Sequence, residues 1–260
     1  MFRKTILPAE IEPLPLVSFP GEIKVISRPG WEFTKALIYL KRQKVIGFDT
    51  EARPCFGPGQ HNNGTALLQL SGPDKAFLFR IQKLGLRRRL CAILGNPNIL
   101  KVGAASHDDV HGLQHFASFK ERGFVDLQKI VWEWGINEKS VKKMAAIILG
   151  VRISKKEQLS NWEAETLSEG QQKYAATDAW ICREMYLKLL ECEKHPLTRE
   201  EMMPPEQLEA MKRAAQRREE ARLAEEKRRQ EAAERRRQRR RNKRKKKKTK
   251  DDQSIPQEGA

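Results

Sequence analysis

The stretch that most constrains this chain is an apolar run, Val45–Phe48, followed at once by Asp49 and Glu51. Apolar residues that end in charge are typical of a buried strand that reaches the edge of its sheet. Side chains two apart on a strand project from the same face, so we expect the two carboxylates to lie side by side. Such a pair repels unless cations lie between its members. The stretch therefore predicts either a solvated strand end or a site for Mg²⁺ or Mn²⁺, which prefer oxygen ligands.

The order of the remaining elements predicts an α/β domain. Two strands follow the acidic strand and are joined by a turn sequence at 71–74, which indicates an antiparallel meander of three. Further strands then alternate with helices, as in a mixed sheet covered by helices. We expect Ser106 to cap one helix, Asp126 to cap another, and Ser168 with Gln171 to form a capping box on the last. The predicted strands are 23–26, 45–51, 66–70, 76–80, 99–103 and 124–125, and the predicted helices are 31–43, 84–94, 126–132, 140–149 and 168–192, with one more beginning near residue 106.

Composition divides the chain into three parts. Residues 1–21 are rich in Pro and predict an extended N-terminal arm. Residues 22–195 hold the predicted α/β domain, which is long enough to bury a core of its own. Residues 196–260 are mostly Glu, Arg, Lys, Gln and Ala, and become almost wholly basic from Arg235 to Lys250. Helix propensity is high there without a sustained heptad, so this part predicts a basic tail that is either helical or disordered.

Net charge and cysteine usage indicate the class of partner and the compartment. The formal net charge of +17 and the pI of about 9.9 favour a polyanionic partner. The four cysteines lack C-x-x-C spacing, so we expect neither a zinc site nor a disulfide partner. This usage fits a reducing compartment, and the N-terminus resembles no signal or transit peptide, so we predict a cytoplasmic protein. We expect no membrane association, because no apolar run is long enough to cross a bilayer.

Further acids lie in two of the predicted helices. Tyr174 and Asp178 are four residues apart in the last helix and therefore share a face. Asp108 and Asp109 lie at the start of the helix that follows the strand at 99–103. Each residue also has an ordinary explanation, because acids stabilise helix N-termini and a helical Tyr usually belongs to the core. The residues alone leave open whether these acids share a site with the pair on the strand.

Taken in order, three motifs resemble those of the DEDD superfamily of 3′–5′ exonucleases. They are Phe48–Glu51, then Lys101–Gly103 with an acid shortly after, then Tyr174-x-x-x-Asp178. A Tyr four residues before the last Asp places the resemblance in the Tyr branch, with ribonuclease D and the Werner-type exonuclease domain. The stretch 161–171 also resembles the ribonuclease D-like proteins. Each motif is short, but the three stand in the right order and in the expected strand and helix contexts.

The resemblance implies a ribonuclease H-like fold and a hydrolase that cleaves phosphodiester bonds from nucleic-acid 3′ ends by a two-metal-ion mechanism. Two Mg²⁺ or Mn²⁺ ions neutralise charge on the incoming and departing oxygens in such a reaction. Tyr174 is implied to orient the attacking water. For the acid that follows 101–103 we choose Asp109, whose spacing fits better, with Asp108 as the alternative. The implied catalytic set is Asp49, Glu51, Asp109, Tyr174 and Asp178, and its four carboxylates are the implied metal ligands.

Basic side chains predict where nucleic acid binds. Arg87 and Arg88 lie on the predicted helix at 84–94, and Arg240 and Lys245 lie in the basic part of the tail. Each pair is either a solvated surface or a contact for phosphates. The expected partner is a single-stranded 3′ end of DNA or RNA. The alternative function is a catalytically silent nucleic-acid-binding adaptor that acts through the fold and the basic tail.

Overall fold

The structure, a computed structural model, describes residues 1–55 and 63–251, without the side chains of residues 205, 241 and 243–251. Residues 1–198 form one compact unit, and a second unit begins at Arg199. The strands are β1 (Glu22–Ile26), β2 (Val45–Ala52), β3 (Thr65–Ser71), β4 (Lys75–Arg80), β5 (Leu100–Gly103) and β6 (Phe124–Asp126). The helices are α1 (Pro8–Ile11), α2 (Trp31–Lys41), α3 (Ile81–Leu84), α4 (Arg88–Leu94), α5 (Ser106–Gln114), α6 (Leu127–Ile130), α7 (Val141–Leu149), α8 (Glu169–Leu190), α9 (Arg199–Met202) and α10 (Pro205–Asp251), with a 3₁₀ turn at Val131–Trp134.

The strands form one mixed sheet in the order β1-β4-β3-β2-β5-β6. The pairs β2–β3 and β3–β4 are antiparallel, which confirms the predicted meander. The pairs β1–β4, β2–β5 and β5–β6 are parallel. The predicted α/β architecture is confirmed, and the strand that carries the two acids lies inside the sheet.

Helices cover both faces of the sheet. On one face, Phe48 of β2 packs in an apolar cluster with Leu37 of α2 and Leu90 of α4. On the other face, Val102 of β5 packs in a second cluster with Ile181 of α8 and with residues of α7. Successive side chains of a strand point to opposite faces. The neighbours of Phe48 on β2 therefore point towards α8.

The helix predicted at 84–94 is confirmed only from Arg88 onward, where α4 begins. Leu84 is instead the last residue of a separate short helix, α3. Gly85 lies between them with φ of 70°, a left-handed conformation that residues with a Cβ rarely adopt. Apolar spacing continues across this break, which is why periodicity alone predicts a single helix.

A second correction concerns the start of α5. The sequence predicts Ser106 as the cap of this helix, but Ser106 is its first helical residue and its side chain is buried. The capping position is held by Ala105, whose φ of 56° is left-handed. The carboxylate of Asp126 accepts a hydrogen bond from the Ala105 backbone N–H at 3.0 Å. The same carboxylate oxygen accepts from the Gln128 N–H at 3.0 Å and caps α6, as predicted.

Residues 1–21, the predicted N-terminal arm, pack against the domain and include α1. Ile6 and Ile11 are buried, and Leu16 forms a parallel β-bridge with Arg152. The Phe19 N–H donates to Thr177 Oγ1 of α8 at 2.9 Å. Part of this segment therefore rests directly on the helix that carries Asp178.

The second unit consists of α9 and the helix α10, which spans 47 residues. The described side chains of α10 are mostly exposed. Its first part is supported by pairs such as Arg213 with Glu209 and Arg229 with Glu225, each four residues apart. Among the described helices, none is long and apolar enough to cross a membrane.

A buried lysine on β5 links this strand to the loops beside it. Lys101 is 0% exposed, and its ammonium donates to the backbone carbonyls of Asn96 at 2.8 Å, Ile99 at 2.7 Å and Arg122. Burial lowers the pKa of this amine to about 8. We expect Lys101→Met to lower the free energy of unfolding by about 2 kcal/mol, because three carbonyls lose a shared donor. Urea denaturation measures this, and the exposed Lys120→Met is the matched control; equal stability of the two variants would contradict the expectation.

Candidate active site

Three carboxylates from two elements meet where β2 passes beneath α8. Asp49 and Glu51 lie on β2 and Asp178 lies on α8, and one oxygen from each is within 4.8 Å of the others. All three side chains are partly buried. Within the described part of the chain, none of them forms an ion pair, and no second group of three potential metal ligands is this compact. The structure therefore brings together the predicted pair and the predicted helix acid.

The close approach of α8 to β2 sets this geometry. A Cβ added to Gly47 would lie 1.8 Å from the carbonyl oxygen of Ala179, so backbone rests against backbone there. Small residues on α8, Ala175 and Ala179, are fully buried in this contact region. The helix begins with the predicted capping box, in which Ser168 accepts from the Gln171 N–H at 3.1 Å. A defined start and a close contact fix the rotation of α8, and with it the position of Asp178.

Mutual repulsion and burial perturb the acids strongly. Burial, and then the charges of Asp178, Asp109 and Glu51, raise the pKa of Asp49 well above its usual range. Burial followed by the charges of Asp178 and Asp109 raises the pKa of Glu51 to about 8. Burial raises the pKa of Asp178 to about 6, although a hydrogen bond from Tyr174 and the charge of Lys155 oppose that rise. Carboxylates with pKa values raised in this way are typical of a site where a bound cation replaces the protons.

The second helix acid is distinguished from its neighbour by its contacts. Thr50, between the two acids of β2, donates from its hydroxyl to Asp109 at 2.6 Å. Burial raises the pKa of Asp109 to about 6, and the Thr50 hydrogen bond opposes that rise. Asp108 is exposed. Asp109 thus lies beside the cluster of Asp49, Glu51 and Asp178 but is not one of the three acids within 4.8 Å of one another. These contacts favour Asp109 over Asp108 as the fourth acid of the site.

Tyr174 lies one turn before Asp178 on the same face of α8. It is 8% exposed, and its ring packs against Trp162 with centroids 5.9 Å apart. Burial, followed by the negative charges of Asp178 and Glu51, raises the pKa of its hydroxyl. The hydroxyl therefore stays protonated at neutral pH and is available as a hydrogen-bond donor beside the carboxylates.

Two residues near the site were not found from the sequence. Thr50 and Lys155 influence Asp109 and Asp178 respectively. Thr50 points to the opposite face from the two acids of β2, so alternation along the strand hides its contact with α5. Lys155 precedes α8 in a polar segment with no periodic pattern. Neither residue belongs to a sequence pattern from which a role in the site could be predicted.

The predicted nucleic-acid-binding residues belong to both units. Arg87 and Arg88 are exposed at the start of α4, on the sheet face opposite α8, and the Arg87 Nε donates to the Leu84 carbonyl at 2.7 Å. Arg240 is exposed on α10, in the second unit. Lys245 belongs to the backbone of α10, but its side chain lies outside the described residues. Arg87 and Arg88 therefore lie on the face of the sheet away from Asp49, Glu51 and Asp178.

The raised acid pKa values predict a pH effect that divalent ions reverse. Glu51 has an ordinary pKa of 4.5 and a folded-state pKa of about 8, so between these values the folded state binds more protons than the unfolded state. The free energy of unfolding of the metal-free protein should therefore fall as pH rises through this window. We expect thermal unfolding in EDTA to show a lower melting temperature at pH 8 than near pH 5.5, and MgCl₂ to raise it most at pH 8. Glu51→Gln should flatten this profile, and a wild-type profile identical to that of the variant would contradict the prediction.

Known proteins resemble this chain in both sequence and fold. A model of the family described as 3′–5′ exonuclease matches residues 31–192. Exonuclease 3′–5′ domain-containing protein 2 of Mus musculus is 32% identical over 196 residues, covering 69% of this chain and 29% of that protein. The bifunctional 3′–5′ exonuclease/ATP-dependent helicase WRN of Mus musculus is 29% identical over 189 residues, covering 68% of this chain and 13% of that protein. The chain thus spans less than a third of the length of these relatives.

Solved structures share the fold. Ribonuclease D of Escherichia coli superposes with a TM-score of 0.57 at 21% identity, covering 65% of this chain and 44% of that one. The EXO domain of Aedes aegypti Nibbler superposes with a TM-score of 0.54 at 23% identity, covering 65% of this chain and 88% of that domain. At these identities the likeness concerns the fold, which agrees with the predicted ribonuclease H-like architecture.

Proposed function

Because the chain belongs to the 3′–5′ exonuclease family, we propose that it is a metal-dependent enzyme that hydrolyses phosphodiester bonds at nucleic-acid 3′ ends. The observation that carries this proposal is the convergence of Asp49, Glu51 and Asp178 within 4.8 Å. Asp109 and Tyr174 stand beside these carboxylates. Loss of one of these acids would have favoured the adaptor alternative, and every member of the set is present.

The donor set fits hard divalent cations. Carboxylate oxygens are the ligands that Mg²⁺ and Mn²⁺ prefer, and the described residues place no cationic side chain in an ion pair with the cluster. Asp49, Glu51 and Asp178 would hold the ions, and Asp109 would complete the set for a second one. The ions supply charge neutralisation on the phosphate oxygens and lower the pKa of water.

The protein's own groups supply orientation. The Tyr174 hydroxyl, protonated and beside Asp178, would orient the attacking water by a hydrogen bond. Thr50 holds Asp109 in place through its hydroxyl. The positive charge of Lys155 acts on Asp178 and would also attract a phosphate of a bound nucleic-acid strand. Burial of the cluster strengthens each of these electrostatic interactions.

Cleavage assays with labelled oligonucleotides test the proposal. Matched single-stranded DNA and RNA, labelled at the 5′ end, should give a ladder that shortens from the 3′ end in Mg²⁺ or Mn²⁺ and no cleavage in EDTA. A 3′-phosphorylated substrate provides a control for direction, since it changes the terminus that the enzyme meets. Absence of products in either metal with either substrate would refute the activity. Metal and nucleic-acid binding without turnover would instead support the adaptor.

We propose that the basic part of α10 binds the phosphate backbone and adds affinity without sequence preference. Replacing the Arg and Lys residues of 235–250 with Gln should weaken binding of single-stranded oligonucleotides and flatten its salt dependence. The slope of log affinity against log salt should become shallower by about 0.7 for each phosphate that the variant no longer neutralises. The control replaces the basic residues of 212–229, which alternate with Glu. Filter binding at several salt concentrations measures both slopes, and equal weakening in the two variants would contradict a role specific to 235–250.

A further inference from the structure

A buried glutamine lies next to the carboxylate cluster. Gln69 on β3 is 0% exposed and pairs in register with Asp49 on β2. Residues directly opposite each other on antiparallel strands project from the same face, with Cβ atoms about 4.5–5.5 Å apart. Gly47 and Asp49 face α8 on β2, so Gln69 also projects beneath α8.

The amide of Gln69 has no partner within the part of the protein that the structure describes. Both its Nε2 and its Oε1 are buried, and neither forms a hydrogen bond. Buried side-chain amides almost always have a partner, because an unpaired one loses its hydration without compensation. Among its neighbours in this layer, Leu78 is in register with Gln69 on β4 and packs in one cluster with Leu67 and Ala175. Ser71, on the same face of β3, has its own partner in the Gly72 carbonyl. An apolar side chain would fill this position without the free-energy cost of an unpaired amide. The amide therefore points to a hydrogen bond that forms when the site is occupied.

We propose that Gln69 is a positioning residue for Asp49, whose carboxylate it holds by an Nε2–H···O hydrogen bond when divalent ions occupy the site. The proposal rests on the proposed function, because it concerns the same metal ligands. One Asp49 oxygen, Oδ1, already accepts from the Thr50 N–H at 3.0 Å. Opposed residues on antiparallel strands have Cβ atoms about 4.5–5.5 Å apart, which is within the reach of a Gln side chain. A hydrogen bond to an ionised acceptor is stronger than one between neutral groups, which favours this contact once Asp49 is a metal ligand.

Groups that orient metal ligands leave a recognisable signature when they are removed. Their loss lowers metal affinity or activity by about 10- to 100-fold although they do not touch the ion. A residue that serves only the packing of the sheet has the opposite signature, since its loss changes the stability of the metal-free protein and leaves metal affinity alone. The two roles of Gln69 can therefore be separated by measuring both properties on one variant.

The test is the full-length Gln69→Met variant, in which an apolar side chain of similar length replaces the amide. We expect the dissociation constant for Mn²⁺, measured by electron paramagnetic resonance of free Mn²⁺, to rise about 10-fold or more. The melting temperature in EDTA should stay the same or rise, because an unpaired buried amide is removed. The control is Ser71→Ala, which lies two residues away on the same face, is equally buried and has its own partner in the Gly72 carbonyl.

The outcomes distinguish this inference from the proposed function. If wild-type protein binds Mn²⁺ and releases nucleotides while Gln69→Met binds Mn²⁺ equally well, the positioning role is overturned and the exonuclease stands. A lower melting temperature in EDTA with unchanged Mn²⁺ affinity also overturns it, since that is the signature of packing alone. If the wild-type protein itself binds no Mn²⁺, the proposed function fails before Gln69 is considered.

Discussion

Asp49→Asn is expected to lower the rate of nucleotide release by about 10³-fold or more without destabilising the metal-free protein. A ligand carboxylate contributes to several kcal/mol of transition-state stabilisation through the ions, and each 1.36 kcal/mol is a factor of ten in rate. The free energy of unfolding of the metal-free variant should stay the same or rise, because the charges of Asp178, Asp109 and Glu51 oppose the ionisation of Asp49 in the wild-type protein. Asn keeps the shape of the side chain and removes its charge. Single-turnover cleavage in saturating Mn²⁺, together with thermal unfolding in EDTA at about pH 8, measures both effects.

The matched control for Asp49→Asn is Asp108→Asn. Asp108 is an exposed acid at the start of α5 and lies outside the carboxylate group. The Asp108→Asn variant should cleave at a rate within about twofold of wild type, since an exposed charge outside the site interacts only weakly with the groups in it. Asp109→Asn should show a loss between these extremes if Asp109 completes the set for a second ion. Cleavage by Asp49→Asn at the wild-type rate would contradict the assignment of the site, and a reversed order of Asp108 and Asp109 would contradict the choice between them.

Local patterns predicted much of this fold because they act over a few residues. The acidic pair on β2 could be predicted from alternation along one strand, and the Ser168–Gln171 capping box from a four-residue spacing. The meander of β2, β3 and β4 followed from two apolar runs and a turn between them. Each inference needs only neighbouring residues and the geometry of a strand, helix or turn.

Contacts between distant elements could not be predicted in the same way. The position of Asp109 depends on Thr50, 59 residues earlier in the chain, and the sequence left Asp108 open. The start of α5 depends on Asp126, which supports Ala105 from another element. The break at Gly85 interrupts an apolar pattern that runs through it. The cytoplasmic location expected from the cysteines stays a prediction, and the sequence leaves both DNA and RNA open as substrates.

Gly47→Ala is expected to lower the free energy of unfolding by about 3 kcal/mol and to abolish Mn²⁺ binding. The added Cβ would lie 1.8 Å from the Ala179 oxygen and 2.5 Å from its carbonyl carbon, both of which are backbone atoms. A side-chain rotation cannot relieve this clash, so α8 must move away from β2. Asp178 directly precedes Ala179 and would move with the helix, away from Asp49. One methyl group therefore affects both the packing of the sheet and the carboxylate cluster, and urea denaturation with an Mn²⁺ titration measures the two effects.

Gly170→Ala, on α8, is the matched control for Gly47→Ala on β2. Its added Cβ would meet side-chain atoms, the end of the flexible Glu157 side chain at 3.1 Å and the Ser168 Oγ at 3.7 Å. Ala is also the better helix former. This variant should be as stable as wild type or more so, with unchanged Mn²⁺ affinity. If Gly47→Ala binds Mn²⁺ as tightly as Gly170→Ala does, the contact between β2 and α8 does not hold Asp178 in the site. If the two variants unfold at the same urea concentration, the sheet accommodates the methyl group, and close packing at Gly47 is not what positions the helix.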